Sequence, residues 1–411
     1  MVSFYSRPNQ QTMKNIIINC IDLEKNATDK FTLGPFSVEI KNLPGEPSNA
    51  NRIWIGNGQF KLELLPSKGL SVGQTYYYNT PLFWEPPIGL PNPENVNLNA
   101  DRIHINGKPA RGFDYLETFM GGIEFYGMKN WGMPRIEKGT VYPLHGETSN
   151  IPVKELDIQY NNQKLTASGK YLYRNYNGTV NPDATTTAPW YDMGTPLYEI
   201  TQQISISSTG NTITLITVMK NISEKQQSPS CGYHITFYAE DNASLHVPAK
   251  TIEARGGGKI PDDYDMWAPA KDSGVREEYG IIFKELNKHF DEGQYYVQSL
   301  VQYPDERGIE VVVPDMPYTQ SWICSGGRNT TEFTYPNGQP VFAKNWDGIG
   351  LEVGSDALDH DGNIDTTSEY KSTIMPGESM ALTITITPLD KTEANLLKNK
   401  FLQFNKDRII K

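Results

Sequence analysis

Glu199-Ile-Thr-Gln-Gln-Ile-Ser-Ile-Ser-Ser-Thr-Gly-Asn-Thr-Ile-Thr-Leu-Ile-Thr-Val-Met-Lys220 is the stretch on which the fold class turns. Ile200, Ile204 and Ile206 recur at even spacing, so an extended chain places them on one face. Ser208-Thr-Gly-Asn211 turns the chain, and Ile213, Leu215 and Ile216 lead out again. Two β-branched runs joined by a Gly-containing turn predict an antiparallel hairpin. The same grammar appears to either side. Phe60-Lys-Leu-Glu-Leu-Leu65 alternates, and the turn Pro66-Ser-Lys-Gly69 leaves Lys68 at a strand end. Met380-Ala-Leu-Thr-Ile-Thr-Ile-Thr387 is a further period-two strand, entered through Pro376-Gly377. Leu82–Pro91 carries too much proline for a central strand and reads as an aromatic-lined loop. The glycine- and aromatic-rich Ala110–Pro134 reads as short strands and packed loops, and Arg255–Asp272 as an exposed excursion. Helix is expected in two places. One is a short element within Val275–Asp291. The other is a final helix capped by Thr392, with Leu397, Phe401 and Phe404 on one side.

No fixed-period repeat or low-complexity linker divides the 411 residues, and all-β units often run long. The expectation is one all-β domain over 51–390, preceded by a peripheral segment over 1–50 with a strand at Phe36–Ile40, and followed by a helical tail over 391–411. The net charge of −11, with no basic run, argues against nucleic acid or an anionic membrane as partner. Three scattered cysteines, Cys20, Cys231 and Cys324, make neither a disulfide framework nor a zinc site. The N-terminus lacks an apolar signal-like stretch and no window approaches a membrane span, so a cytoplasmic protein is expected.

Three segments carry chemistry. In Val141-Tyr-Pro-Leu-His-Gly-Glu-Thr-Ser-Asn-Ile-Pro152, proline and glycine bend the chain around His145, which either faces a cleft or merely caps a turn. In Cys231-Gly-Tyr-His-Ile-Thr-Phe-Tyr238, His234 is either a proton-transfer group or a core imidazole bonded to a neighbouring carbonyl. In Asn345-Trp-Asp-Gly-Ile-Gly-Leu-Glu-Val-Gly-Ser355, Glu352 either points outward to solvent or sits in a pocket. Two imidazoles and a carboxylate suit general acid–base work. Other matches fail on spacing. Asp356–Asp365 misplaces the glycine of a calcium loop, Gly256-Gly-Gly-Lys259 is no phosphate loop, and Ser149 and Ser230 lack a nucleophile-elbow context. His104 and His289 read as surface residues.

Taken in order, several segments resemble the aldose 1-epimerase (galactose mutarotase) superfamily, in a distant branch. They are Leu64-Leu-Pro-Ser-Lys-Gly-Leu-Ser-Val-Gly73, Pro81-Leu-Phe-Trp-Glu-Pro86, Phe119-Met-Gly-Gly-Ile123, Leu144-His-Gly146 with Ser149-Asn-Ile-Pro152, Gly232-Tyr-His-Ile-Thr236 and Gly350-Leu-Glu-Val-Gly354. The resemblance implies a β-supersandwich of two large, mostly antiparallel sheets with a concave sugar-binding face. It further implies His234 as general acid, Glu352 as general base and His145 as a sugar ligand that helps place the ring oxygen. Lys68, Asn150 and Trp346 become further substrate contacts; Trp84, Trp131 and Trp346 are either aromatic platforms for the sugar or core residues. No cofactor or metal is implied. The expected reaction opens a sugar ring, the base taking the anomeric proton while the acid, across the ring, protonates the ring oxygen. The chain departs from the resemblance where Lys68 and Glu147 replace arginines, which bears on the substrate more than the reaction. Two other readings use the same residues: a lyase or epimerase acting on an oxidised sugar, and a sugar-binding protein without turnover.

Overall fold

The computed structural model describes residues 2–5, 14–20, 29–41, 46, 51–85, 89–98, 102–175, 189–267, 276–316, 318–325, 333–341, 348–356 and 372–411. The hairpin forms as its alternation requires. Thr195–Ser207 pairs antiparallel with Ile213–Asn221, with Ile204 opposite Leu215 and Ile206 opposite Ile213. Around it grows a sheet with 11 strands among the described residues, in which Lys164–Asn175 flanks one side and Ser379–Leu389 the other. The second large sheet has 13 strands among the described residues. At its centre lie Tyr318–Ser325, Gly348–Gly354, Ser230–Phe237 and Gly122–Met128, paired in that order and all antiparallel.

The sheets pack face to face over one continuous apolar core, to which Ile200, Ile204, Leu215 and Met219 come from one sheet and Tyr233, Ile235, Phe237, Leu351 and Val353 from the other. Burial of such side chains contributes about 1.5–3 kcal/mol each, so the interface dominates stability. A polar bridge crosses it. The Tyr233 hydroxyl donates to Thr217 Oγ1 at 2.6 Å, and Thr217 donates to Gln202 Oε1 at 2.7 Å. Polar groups in an apolar core are tolerated because each finds a partner, and the pairing also fixes how the sheets register on one another. Cys20 and Cys231 are buried thiols, pushed up to about 12 by that burial.

Segments near both ends join the sheets. Lys14–Asn19 pairs with Glu155–Asn161 and buries Ile16 and Ile18, and Phe36–Ile40 pairs with Ile53–Gly56 and buries Phe36, Val38 and Ile40. The helix expected within Val275–Asp291 is not formed. Strands Arg276–Leu286 and Lys288–Asp291 stand there instead. Ile281 and Phe283 face the main core while Ile282 packs on Tyr126 and Trp131, so the run is apolar on both faces and pairing with Tyr318–Ser325 satisfies its backbone. The final helix, Lys391–Phe404, does form, but Asp390 caps it rather than Thr392. Asp390 Oδ1 accepts from the Glu393 amide at 2.9 Å and the Glu393 carboxylate accepts from the Asp390 amide at 3.0 Å. Its Ala394 and Phe401 dock on Leu300 at the back of the 11-stranded sheet.

Candidate active site

Along the strand Ser230–Phe237, odd-numbered side chains enter the core and even-numbered ones face the other surface of the sheet. That parity places His234 and Thr236 on the face turned away from the shared core. Register does the rest. Glu124 lies opposite His234 on one neighbouring strand, Glu352 opposite His234 on the other, and Gln320 opposite Glu352 beyond it. Four polar side chains thus form a row across four strands, Glu124–His234–Glu352–Gln320, although the segments are remote in sequence.

Within the row, His234 Nε2 is 3.5 Å from Glu352 Oε1. The other carboxylate oxygen, Oε2, accepts from Gln320 Nε2 at 2.8 Å and from the Tyr126 hydroxyl at 3.4 Å. One oxygen is therefore anchored and the other is left facing the imidazole. His234 Nδ1 sits 3.2 Å from Thr236 Oγ1, a hydroxyl that can donate or accept and so admits either ring tautomer. His234 and Glu352 are therefore neighbours on one face of the sheet.

Glu352 does point away from the core, as strand alternation requires, yet only 2% of it is exposed. The cover comes from indoles lying flat on glycines. A Cβ on Gly350 would fall 1.9 Å from Trp322 Nε1, and one on Gly354 would fall 2.3 Å from Trp131 Cζ2. Glycine at both positions lets the rings touch backbone on either side of the carboxylate. Phe119 closes against His234, ring to ring at 4.5 Å, and Trp84 stacks on Phe119. Trp131 is fully buried with one face against Gly354, so it walls the site and offers no open platform to a sugar.

His145 is bent into place, as its proline and glycine suggested. Its φ is +55° and that of Gly146 is +69°. Any side chain at Gly146 would run into the carbonyls of Gly127 and Asn130, 2.5 and 2.6 Å from its Cβ. His145 Nδ1 lies 2.6 Å from the Trp131 carbonyl oxygen. A carbonyl only accepts, so Nδ1 carries the proton and, in the neutral ring, Nε2 is a bare lone pair. The His145 ring centroid is 5.5 Å from that of His234 and 4.9 Å from those of Tyr115 and Tyr126.

Lys68 and Asn150 meet beside this row. Both lie on single helical turns, Pro66–Lys68 and Thr148–Asn150, and Lys68 Nζ donates to Asn150 Oδ1 at 2.7 Å. The ammonium is 1% exposed and 3.8 Å from Glu124 Oε2. Burial lowers Lys68 to about 8, and the Glu124 carboxylate works against that shift. Glu124 in turn accepts from the Tyr115 hydroxyl at 2.9 Å and the Met120 amide at 2.8 Å. Trp346, the calcium-like run beyond Asp356 and part of the Leu82–Pro91 loop lie outside the described residues. Glu124, Gln320, Tyr115, Tyr126 and Trp322 were missed by sequence reasoning. Of these only Glu124 carried a signal, a carboxylate set in the apolar run Gly122-Ile-Glu-Phe-Tyr126 much as Glu352 is set in its own.

Two large, mostly antiparallel sheets sharing one core, with a polar row on the face turned away from it, make the fold that of the galactose mutarotase-like supersandwich. A Klebsiella pneumoniae protein named as a putative aldose 1-epimerase superposes with a TM-score of 0.68 at 17% identity, covering 96% of this chain and 93% of its own. A putative mutarotase from Salmonella typhimurium gives 0.52 at 10% identity, covering 86% of this chain and 94% of its own. A galactose mutarotase-like protein from Clostridium acetobutylicum gives 0.50 at 12% identity, with 86% and 98% covered. The chain belongs to the family described as a domain of unknown function (DUF4432), whose family model matches residues 48–279. No curated protein sequence matches it. Among the described residues no helix is long and apolar enough to cross a membrane.

Proposed function

We propose that the protein interconverts sugar anomers by acid–base ring opening, as an aldose 1-epimerase-like isomerase. The observation that carries this reading is the His234–Glu352 pair, held 3.5 Å apart on adjacent strands in a site walled by Trp322 and Phe119. The anomeric hydroxyl and the ring oxygen of a sugar share one carbon, so neighbouring acid and base groups can address both at once. Glu352 Oε1 takes the hydroxyl proton, the bond from the anomeric carbon to the ring oxygen breaks, and His234 Nε2–H protonates that oxygen. The aldehyde turns about its bond to the next carbon and recloses, the protons running back along the same paths. As general acid His234 is imidazolium: Nε2–H faces the ring oxygen, and Nδ1–H donates to Thr236 Oγ1, so giving up the Nε2 proton leaves a neutral ring. His145, with its proton held on Nδ1, accepts a hydrogen bond from a sugar hydroxyl; it does not donate to the ring oxygen in its neutral form. Lys68 and Asn150 contribute further polar contacts, and Trp346 an aromatic platform. The structural neighbours are named as a putative aldose 1-epimerase, a putative mutarotase and a galactose mutarotase-like protein, and a small sugar is the partner proposed here.

The test is anomer-exchange NMR on a panel of free sugars, comparing wild type with Glu352→Gln and His234→Ala. Exchange accelerated for one sugar and reduced at least about a hundredfold in both variants supports the assignment. Acceleration that survives in Glu352→Gln removes the proposed base.

A further inference from the structure

We infer that His145, His234 and Glu352 also form a three-point site for a divalent transition ion of the zinc type, which competes with the sugar. Their ligand atoms all lie within 4.8 Å of one another, and the His234–Glu352 separation is already 3.5 Å. Tetrahedral zinc with bonds of about 2.0–2.2 Å sets its ligand atoms about 3.3 Å apart, so small rotations about the side-chain bonds bring the third atom in. Two imidazole nitrogens and one carboxylate on three separate segments leave a fourth position open.

Convergence of atoms is common, and what distinguishes this cluster is how each ligand is supported. Metal-bound imidazoles donate their second ring N–H to a fixed acceptor, which holds the tautomer and aims the lone pair. His145 meets that condition: Nδ1 donates to the Trp131 carbonyl at 2.6 Å. His234 can meet it through Thr236 Oγ1, whose hydroxyl accepts as readily as it donates. Glu352 has one oxygen tied to Gln320 and Tyr126 and the other directed at the imidazole. The field also favours a cation. Among the described residues that build it, the row carries two carboxylates, Glu124 and Glu352, and the one ammonium beside it, Lys68, lies 3.8 Å from Glu124. Nitrogen and oxygen donors of this kind suit zinc, and also cobalt and nickel, better than magnesium or calcium, which prefer oxygen throughout.

The ion and the acid–base cycle need the same lone pairs. Bound metal removes the proton from His234 Nε2 and occupies Glu352 Oε1, so it switches the proposed chemistry off. That competition rests on the proposed function; the binding itself does not.

The experiment titrates chelator-treated full-length protein with zinc chloride by calorimetry, and with cobalt chloride by visible absorption. One ion per chain is expected, with the intense visible bands of four-coordinate cobalt. His145→Ala, a change at the half-buried member of the set, should weaken zinc by more than the 10- to 100-fold that loss of a supporting residue typically costs. Gln320→Ala should weaken it by roughly tenfold, and near-ultraviolet circular dichroism checks that both variants are folded. Absence of one-to-one binding in wild type, or binding unchanged in folded His145→Ala, overturns the inference. The competition is read separately: with any sugar whose exchange is accelerated, zinc should suppress the exchange and a chelator should restore it. Failure to find such a sugar defeats the proposed function and leaves the zinc titration intact.

Discussion

Replacing Gly350 by alanine tests the wall beside Glu352 directly. The added Cβ would lie 1.9 Å from Trp322 Nε1 and 2.1 Å from Cε2, far inside contact distance. The backbone at Gly350 is not in the left-handed region, so alanine adds no conformational strain and the penalty is steric alone. Trp322 is a rigid ring, 3% exposed and with His234 beside it at 5.6 Å, so it cannot swing clear into solvent. Overpacking of this kind costs about 1–3 kcal/mol, and the rigid partner puts this case near the upper end. Urea unfolding followed by far-ultraviolet circular dichroism gives the magnitude, and the near-ultraviolet spectrum reports whether the indole has moved. Gly210→Ala is the control. Its nearest neighbour is Ser207 Cβ at 3.2 Å in a hairpin turn, and a change within about 0.5 kcal/mol is expected. Trp322→Leu placed in the Gly350→Ala background should restore part of the loss, with a coupling of about 0.5–3 kcal/mol. If Gly350→Ala unfolds within about 0.5 kcal/mol of wild type and the near-ultraviolet spectrum is unchanged, the indole does not rest on that glycine and the explanation of the pattern fails.

Two further outcomes follow from other parts of the chain. His246, with Ser244 Oγ 2.8 Å from Nε2 and Asp265 3.8 Å from Nδ1, is lowered to about 4 by burial and by the charges of Lys398 and Arg408. The unfolded chain then binds the proton more readily than the folded one between about pH 6.5 and pH 4. Stability is lost as pH falls through that window, by up to about 3 kcal/mol, and urea midpoints against pH should show a shallower acid limb for His246→Gln. Asp390→Ala removes both the cap and the partner of Glu393, and should cost about 1 kcal/mol in the same assay, since Phe401 still anchors the helix.

Much of the architecture was legible because period-two alternation is a local signal. Glu199–Lys220 shows it plainly, and the paired strands reproduce its register. The stretch Val275–Asp291 misled for the opposite reason: Ile281-Ile-Phe283 is apolar on both faces, and an unbroken apolar run carries no period to read. Glu352 shows a subtler limit. Alternation correctly sent its side chain out of the core, but outward from one strand is not outward into water when tryptophans from two other segments lie across it. The alternating glycines of Gly348-Ile-Gly-Leu-Glu-Val-Gly354 recorded that cover, and their meaning appears only once Trp322 and Trp131 are placed on them. Gln320 had no signal at all. A glutamine in a strand is ordinary until the strand beside it turns out to carry Glu352.

The row Glu124–His234–Glu352–Gln320 also has a kinetic side. Each member sits on a strand that reaches its neighbour only across a long span of chain, and closing such spans costs entropy before any contact repays it. The local hairpins, Thr195–Ser207 with Ile213–Asn221 among them, need no such closure. Refolding should therefore show two clocks: backbone ellipticity recovering early, as hairpins form, and the near-ultraviolet signature of Trp322 recovering late, when the strand bearing Glu352 slots in beside the one bearing His234. The family match over 48–279 ends before that strand, so a fragment cut to the match would carry His145 and His234 and never acquire the carboxylate that faces them.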